Sequence, residues 1–413
     1  MRLLFVAQRY GESIAGGAEA ACRALAERLA ARGHDVDVVT SCATSYEDWA
    51  DVFARGSSEL NGVQVHRLPV RAAREPRLFA PLHHRALSRR QVSLAVQRDW
   101  LRVHGPELPD LPAFLEERAG RYDVVAFSSY LFAPTATGLP IAAARTATIV
   151  HPAAHDEPAL ELDVFDPELR HADAIACYSM EEMQLIERRL RAPQLLRLIG
   201  TGIDDTPPGD GARFRRQFGL GERPYLLYLG RLDPGKGADE LYRFARAAMA
   251  RDNLDVALVV AGENVMGLPP ANGVVITGFV DDQTKYDALA GASVFANPSY
   301  FESFSIVLCE AWIQGRPALV QGASDVLAGH VGRSGGGLAY RSFAEFDVAL
   351  RRLLDDAPLR DVMGQRGRNY VLDNFGWPAV IERYEALLVE VRSRFDAARR
   401  PNWFVADTRA AIR

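Results

Sequence analysis

The chain has 413 residues, of which 48% are hydrophobic and 24% are charged, and its formal net charge is −5. At about 150 residues per domain this length predicts two or three domains, and the composition excludes a disordered, collagen-like or disulfide-scaffold protein. Only two of the 48 basic residues, Lys236 and Lys285, are lysines, and the other 46 are arginines. Because arginine is the common basic residue in this chain, each of the two lysines is more informative about function than any one arginine.

The start of the chain and the cysteines predict a cytoplasmic protein. The first apolar run, residues 3–7, has five members, fewer than the about 7 to 15 of a signal-peptide core. No stretch approaches the roughly 20 apolar residues of a membrane span. The cysteines at 22, 42, 177 and 309 stand far apart in the sequence, so we expect reduced core residues rather than a metal or redox pair.

The first half alternates short apolar runs with amphipathic stretches, which is typical of parallel βα units. Strands are predicted at 3–7, 35–40, 63–68, 123–127, 146–150 and 174–178. A helix over roughly residues 18–31 follows a turn that contains Gly16 and Gly17, where paired glycines allow close approach to a ligand. The G-x-G-x-x-G spacing is missing there, so NAD binding is not supported.

The segment after the strand at 146–150 is rich in polar residues, with His151, His155, Asp156 and Glu157. The carboxyl end of a parallel strand is where an α/β sheet presents groups to a ligand. A polar substrate contact is the favoured interpretation, with a plain loop or a metal site as alternatives. Pro152 argues against an uninterrupted helix that would align the two histidines.

Gly, Pro and Asp cluster without periodicity over residues 201–209, which predicts a linker. Beyond it, strands are predicted at 225–229, 256–261, 274–277, 294–296 and 318–320. The sequence therefore predicts an N-terminal domain over 1–203 and a second over 208–376, with a helix at about 377–396 that packs back on either. Two doubly wound sheets also predict a cleft between the domains, because ligands bind beyond the carboxyl ends of parallel strands.

The loop at 230–237 follows a strand and precedes a helix, and it nearly matches the phosphate-binding pattern G-x-x-x-x-G-K-[ST]. Gly237 stands where the magnesium-binding hydroxyl is needed, so a nucleoside triphosphatase is disfavoured. What remains is Arg231 and Lys236 on a loop that opens a helix, whose N-terminus attracts anions. The alternative is a surface turn with two solvated cations.

Glu302 and Glu310 bracket the predicted start of a helix that ends near Gly315. The backbone N–H groups from Ser303 to Val307 would lie at that helix N-terminus and could bind a diphosphate. The alternative places Glu302 as a helix-start acid and Glu310 on a solvated face. Lys285, on a polar helix with several aspartates, is interpreted as a surface charge.

The four segments at residues 16–19, 151–157, 230–237 and 297–310, in this order along the chain, resemble those of glycosyltransferase family 4. The members of that family are retaining enzymes with the GT-B fold of two Rossmann-like domains. The most specific element is the E-x7-E motif from Glu302 to Glu310, with Pro298 before it and Gly315 after it. The family usually has glycine where this chain has Ser303 and Ser305. The resemblance extends from the first residue to about residue 388.

The resemblance implies a donor-binding set and a catalytic set. Arg231 and Lys236 would neutralise the departing diphosphate, Glu302 would hold a hydroxyl of the transferred sugar, and Glu310 would bind the ribose. His155 would contact the sugar and is favoured over His151. The implied backbone contacts to the donor are Gly16, Gly17, Val280, Phe304, Ser305 and Ile306.

The implied reaction moves a sugar from a nucleoside diphosphate to a saccharide or lipid-linked acceptor hydroxyl, with retention at the sugar carbon, in glycan, polysaccharide or glycolipid synthesis. Neither a metal nor a separate cofactor is expected, and no nucleic acid. The aspartate pairs at 204–205 and 281–282 are interpreted as turn residues. Two alternatives stay open, a nucleotide-sugar epimerase on the same scaffold and a non-catalytic nucleotide-sugar binder; a phosphorylase is disfavoured because it usually needs a cofactor lysine.

Nine arginines stand between Arg67 and Arg102 against two acids, Glu75 and Asp99, so this segment carries +7 and the rest of the chain −12. The excess suggests peripheral contact with anionic lipid or with a lipid-linked acceptor, on the cytoplasmic face of a membrane. The alternative is that the segment only reflects the arginine-rich composition.

Overall fold

The chain divides into two compact α/β units, described in turn. A computed structural model describes residues 1–14, 16–88, 92–190, 195–232, 234–269 and 271–399. The first unit comprises Met1–Ile199 together with the described residues from Ile381 onward, and the second comprises Gly200–Val380. The predicted linker at 201–209 therefore falls at the start of the second unit.

The first unit is built on a sheet with the strand order β3-β4-β2-β1-β5-β6-β7-β8 within the described residues. Its strands are β1 Arg2–Val6, β2 Asp35–Ser41, β3 Gly56–Leu60, β4 Val63–Leu68, β5 Val124–Ser128, β6 Ala147–His151, β7 Ala174–Cys177 and β8 Leu195–Leu198. All neighbours pair in parallel except β3 with β4. The central strands β5 and β6 are buried along their whole length, as the continuous apolar runs of a two-sided parallel sheet require.

Helices cover this sheet. They are α1 Gly17–Ala31, α2 Pro76–Leu87, α3 Leu94–His104, α4 Leu111–Arg118, α5 Ala133–Ala143, α6 Asp166–His171 and α7 Met180–Leu190. Short 3₁₀ turns lie at Ala119–Arg121, Pro158–Glu161 and Asp163–Phe165. The strand β3 was not predicted, because its side chains are polar and exposed. The turn of Asn61 and Gly62, both at positive φ, joins it to β4, and the Asn-Gly dipeptide was the available signal.

The second unit has a parallel sheet with the order β11-β10-β9-β12-β13-β14. Its strands are β9 Tyr225–Leu229, β10 Ala257–Ala261, β11 Val274–Gly278, β12 Val294–Asn297, β13 Ala318–Gln321 and β14 Gly337–Tyr340. Its helices are α8 Gly211–Gln217, α9 Ala238–Ala250, α10 Asp282–Gly291, α11 Ile306–Ile313, α12 Asp325–Ser334, α13 Phe343–Asp355 and α14 Ala357–Phe375, with 3₁₀ turns at Pro234–Lys236 and Arg251–Asn253. Both units are thus doubly wound α/β domains, as the sequence predicts.

The last helix, α15 Trp377–Arg399, crosses the boundary between the units in the sequence. Its apolar residues at helical spacing, among them Tyr384, Leu387 and Val391, are buried. From Ile381 onward it packs with the first unit, where Arg392 donates to the carbonyl of Asp123. Within the described residues, helices long enough to cross a bilayer lack the necessary apolar stretch.

Candidate functional site

The loop that follows β9 has a steric reason for its departure from the phosphate-binding pattern. Gly237 caps the N-terminus of α9 at φ 66°, in the left-handed region. A Cβ atom at this position would lie 2.3 Å from the carbonyl oxygen of Pro298, in the loop after β12. Because both the backbone conformation and the close approach require glycine, a serine or threonine does not fit where a magnesium ligand would be needed.

Lys236 and Glu302 are brought together although 66 residues separate them. The ammonium Nζ of Lys236 lies 3.0 Å from Oε1 of Glu302. The Glu302 side chain is only 13% exposed, whereas that of Lys236 is 47% exposed. Arg231 is half-buried on the same loop, and its carbonyl accepts the hydroxyl of Tyr228 at 2.9 Å. The loop after β9 and the loop after β12 therefore form one charged surface of the second unit.

The helix α11 begins at Ile306, four residues after Glu302, so Glu302 lies on the loop that leads into the helix. Its cap, Ser305, is buried at φ 77° and ψ 78°. The Ser305 hydroxyl accepts a hydrogen bond from the amide of Asn297 at 2.9 Å. The first-turn N–H groups of the helix, beginning at Ile306, have no intrahelical acceptor and favour an anion.

Ser305 occupies a backbone conformation that favours glycine. A serine persists there because the buried hydrogen bond from Asn297 offsets the strain. The neighbouring Phe304 is buried, with its ring edge-on to Phe375 at 4.8 Å and to His330 at 5.3 Å between ring centroids. The backbone that carries the predicted donor contacts is thus fixed from both sides.

Glu310 lies one turn further along α11, and its partner corrects a prediction. Lys285 on α10 is not a solvated surface charge, because its Nζ lies 2.8 Å from Oε1 of Glu310 and 3.0 Å from the carboxylate of Asp282. The side chains of Lys285 and Glu310 are 21% and 14% exposed. The alternative that put Glu310 on a solvated face is therefore wrong as well.

Burial and pairing explain the pKa shifts of Glu310 and Lys285. Burial raises the pKa of Glu310, the carboxylate of Asp282 adds to that, and Lys285 opposes it, with the net pKa above its usual range. Burial lowers the pKa of Lys285, but Glu310 and Asp282 raise it more, so its net pKa is above its usual range. The lysine is therefore charged at neutral pH, and the charge of Glu310 depends on it.

Val280 is half-buried two residues beyond the end of β11, between the exposed Phe279 and Asp281. Asp281 caps α10 by accepting the N–H of Thr284 at 2.8 Å. Asp205, from the other predicted turn pair, contacts Arg368 at 2.6 Å. The sequence predicted turn residues at these aspartates, but Asp281 is the N-cap of α10 and Asp282 is its first residue, where it pairs with Lys285.

In the first unit, the glycine turn lies against a buried ion pair that sequence reasoning missed. Gly16, at φ 152°, caps α1, and a Cβ on it would lie 2.3 Å from the carboxylate of Glu19. Glu19 accepts from Nε of Arg9 at 3.0 Å, and both side chains are less than 10% exposed. A Cβ on Gly17 would meet open space. Ala15, between the described segments of this turn, lies outside the described residues.

The two predicted histidines occupy different environments. His151 ends β6, is buried, and lies 3.0 Å from the hydroxyl of Tyr384 on α15. Burial lowers the pKa of His151 to about 4, so it is a neutral core residue at physiological pH. His155 is half-buried in the following loop, with Nδ1 3.5 Å from Oε1 of Glu157. His155 is thus the more accessible of the two histidines.

The loop of His155 is held by groups that carried no sequence signal. The hydroxyl of Tyr130 donates to Glu157 at 3.0 Å. The buried carboxylate of Glu182 accepts the N–H groups of Ala154 at 2.6 Å and of Tyr178 at 2.5 Å. Within the described ranges, His, Cys, Asp and Glu side chains form no group of three or more that would hold a metal ion.

The arginine-rich segment is only partly a surface. Arg67 donates to the carbonyl of Tyr10 at 2.9 Å. Arg74 donates to the carbonyl of His104, and burial lowers its pKa to about 10. Exposed members are Arg71, Arg77, Arg85, Arg98 and Arg102, of which Arg71 pairs with Glu107 and Arg102 with Asp99. Arg89 and Arg90 lie outside the described residues.

Comparison with known proteins gives matches over both units. Residues 16–202 match the family model described as a glycosyl transferase 4-like domain, and residues 223–356 match glycosyl transferases group 1. A D-inositol 3-phosphate glycosyltransferase of Salinispora arenicola is 30% identical over 259 residues, which cover 55% of this chain and 58% of that protein. The chain thus spans little more than half the length of this relative.

Two solved structures share the fold. Sucrose-phosphate synthase from Thermosynechococcus elongatus has a TM-score of 0.71 at 20% identity, covering 95% of this chain and all of the other. The Anabaena protein HepE in complex with UDP has a TM-score of 0.69 at 17% identity, covering 94% of this chain and all of the other. These structures place the two parallel-sheet units among the GT-B proteins.

Proposed function

We propose that this chain, which belongs to glycosyltransferase family 4, transfers a sugar from a nucleoside diphosphate sugar to an acceptor hydroxyl. One observation carries the proposal. Two carboxylates, Glu302 and Glu310, flank the N-terminal turn of α11, and each is paired with one of the two lysines of the chain. A helix N-terminus with a cation beside it favours a diphosphate. The two flanking carboxylates can accept hydrogen bonds from the hydroxyl groups of the sugars on either side of that diphosphate.

The donor diphosphate would occupy the helix N-terminus. The N–H groups around Phe304, Ser305 and Ile306 would donate to its oxygens, while Arg231 and Lys236 would neutralise the charge that grows as it departs. Preorganised charge of this kind usually contributes more to catalysis than any other single effect. The arriving diphosphate would compete with Glu302 for the Lys236 ammonium, which frees the Glu302 carboxylate for a sugar hydroxyl.

The nucleoside end would lie toward Glu310, whose carboxylate would accept hydrogen bonds from the ribose hydroxyls. The backbone at Val280 would receive the base, because it follows β11 at the carboxyl edge of the sheet, where doubly wound proteins bind ligands. In the first unit, His155 is proposed as a sugar contact and the turn of Gly16 and Gly17 as a phosphate contact.

The proposed reaction retains the configuration at the sugar carbon and needs neither a metal ion nor a separate cofactor. The leaving diphosphate would take the proton of the acceptor hydroxyl, which attacks on the face that the diphosphate vacates. Arg231 and Lys236 provide the positive charge that a metal ion would otherwise supply. NMR of the product's anomeric proton tests retention, and turnover in excess EDTA tests metal independence.

The acceptor is proposed to be a saccharide or a lipid-linked saccharide, met in the cytoplasm or at the cytoplasmic face of a membrane. Arg77, Arg85 and Arg98 are the exposed arginines that support lipid contact, and exposed Leu78 on α2 adds an apolar contact. Co-sedimentation should rise with the anionic lipid content of vesicles and should fall in a triple glutamine variant at these arginines. Binding that does not depend on anionic lipid would contradict this part of the proposal.

The activity itself is tested by following nucleotide sugars with and without acceptors. Thermal denaturation in the presence of UDP, GDP and ADP sugars identifies the donor, because a ligand at 100 times its Kd stabilises the folded protein by about 2.7 kcal/mol. Transfer requires that the donor be consumed faster when an acceptor is present. Acceptor-independent conversion of one nucleotide sugar into another would identify an epimerase, and binding without turnover would identify a non-catalytic binder.

A further inference from the structure

The pairing of Lys285 with Glu310 has no assigned role in the proposed reaction, and both side chains are largely removed from solvent. The two side chains come from different helices, α10 and α11, and meet at 2.8 Å. An exposed surface pair in a similar position would contribute little. Here the carboxylate is largely buried, so whether it is charged depends on what faces it.

The charges around Glu310 make Lys285 its main positive partner. From α10, Glu310 meets the positive Lys285, the acidic Asp282 and the phenol of Tyr286. From the segment before α8 it meets the negative charge of Asp204. On α14, Arg368 is engaged by the carbonyl of Ile313 and by Asp205. Strands β12 and β13, which flank α11, contain no titratable side chain.

We propose that Lys285 is a positioning residue of the donor site, whose ammonium keeps the Glu310 carboxylate charged and oriented so that it accepts the ribose hydroxyls. This rests on the proposed function, because it presumes that Glu310 binds ribose. Lys285 acts through Glu310 and holds it from the α10 side. A carboxylate accepts hydrogen bonds at both oxygens, so Oε1 can stay with Lys285 while Oε2 serves the ligand.

Removing the ammonium has a predictable consequence. In Lys285→Met, burial and the negative charges of Asp282 and Asp204 act on Glu310 unopposed, so its pKa rises further. A nearby opposite charge lowers the pKa of a carboxyl group, so removing Lys285 should raise the pH at which nucleotide affinity is half restored. Glu310 is charged above its pKa, so nucleotide affinity should fall at neutral pH and return as the pH is raised.

The experiment is calorimetric titration of the wild type and variants with UDP, GDP and ADP between pH 6 and pH 9.5. Hydrogen bonds to charged groups contribute enough that losing the carboxylate should weaken binding about tenfold or more. At pH 7, Lys285→Met should therefore bind its preferred nucleotide about tenfold more weakly, and its affinity should recover toward that of the wild type as the pH is raised. Lys285→Arg, which keeps the charge, should retain most of the affinity and the wild-type pH profile.

Two further variants separate the possible results. Glu310→Gln should bind weakly at every pH, and adding Lys285→Met to it should change little, because the lysine acts through the carboxylate. Arg243→Met removes one exposed cation from α9 of the same unit and should bind like the wild type. A wild type that binds none of the nucleotides would overturn the proposed function. Normal nucleotide binding with Lys285→Met unchanged, or weakened equally at all pH values, would overturn only the role of Lys285.

Discussion

Replacing Gly237 with serine completes the phosphate-binding pattern in the sequence and should nevertheless damage the protein. The residue lies at φ 66°, and a Cβ atom would be 2.3 Å from the carbonyl oxygen of Pro298. A left-handed conformation costs a non-glycine residue about 1 to 2 kcal/mol. Displacing a packed neighbour costs about 1 to 3 kcal/mol more, so Gly237→Ser should lose about 2 to 5 kcal/mol of unfolding free energy.

The chain offers a matched control for the backbone part of this loss. Gly219 lies at φ 65° in the same unit, and a Cβ there would meet nothing within 4 Å. Gly219→Ser should therefore lose only the about 1 to 2 kcal/mol of the left-handed conformation. Urea denaturation of both variants, followed by fluorescence, measures the difference. Equal losses would show that the approach of Gly237 to Pro298 is not a constraint, and magnesium-dependent triphosphate hydrolysis by Gly237→Ser would refute the steric argument altogether.

Two further predictions concern buried polar groups. Ser305→Ala and Ser305→Gly both lose the hydrogen bond from Asn297, but only glycine relieves the strained φ. Ser305→Ala should therefore be about 1 kcal/mol less stable than Ser305→Gly, and urea midpoints in the opposite order would contradict this. Burial lowers the pKa of His330 to about 3 and that of His151 to about 4. Below about pH 6.5 both histidines therefore become protonated in the unfolded chain while they stay neutral in the folded chain. Each histidine should therefore lower the unfolding free energy by about 2 kcal/mol at pH 5 relative to pH 7. The unfolding free energy of His330→Phe should fall less between these pH values than that of the wild type, and equal falls would show that burial does not keep His330 neutral.

The doubly wound architecture could be predicted because continuous apolar runs and helical periodicity are properties of single segments. The predicted strand at 123–127 and β5 at Val124–Ser128 differ by one residue at each end. Strands with weak apolar patterns were missed, such as the polar edge strand β3 and the glycine-led β14. Their pairing depends on a neighbour in the sheet rather than on their own sequence.

The candidate site was predictable where its residues lie on one motif and not where partners come from elsewhere in the chain. The positions of Glu302, Glu310 and Lys236 followed from local patterns. The role of Lys285 did not, because its partner is 25 residues away on another helix. Its rarity in an arginine-rich chain was the one available signal, and the polar residues around it led to its interpretation as a surface charge.

The proposed function requires the Lys236 loop and Glu302 to bind the reacting end of a nucleotide sugar, and a kinetic comparison of two variants tests this requirement. The kcat/KM for consumption of the preferred nucleotide sugar should fall by about 100-fold or more in Lys236→Met, as for other preorganised charge contacts. Arg243→Met, which removes an exposed cation that pairs with Asp239 on the adjoining helix, should match the wild type. Equal kcat/KM values for Lys236→Met and the wild type would contradict a role for this loop in the transfer.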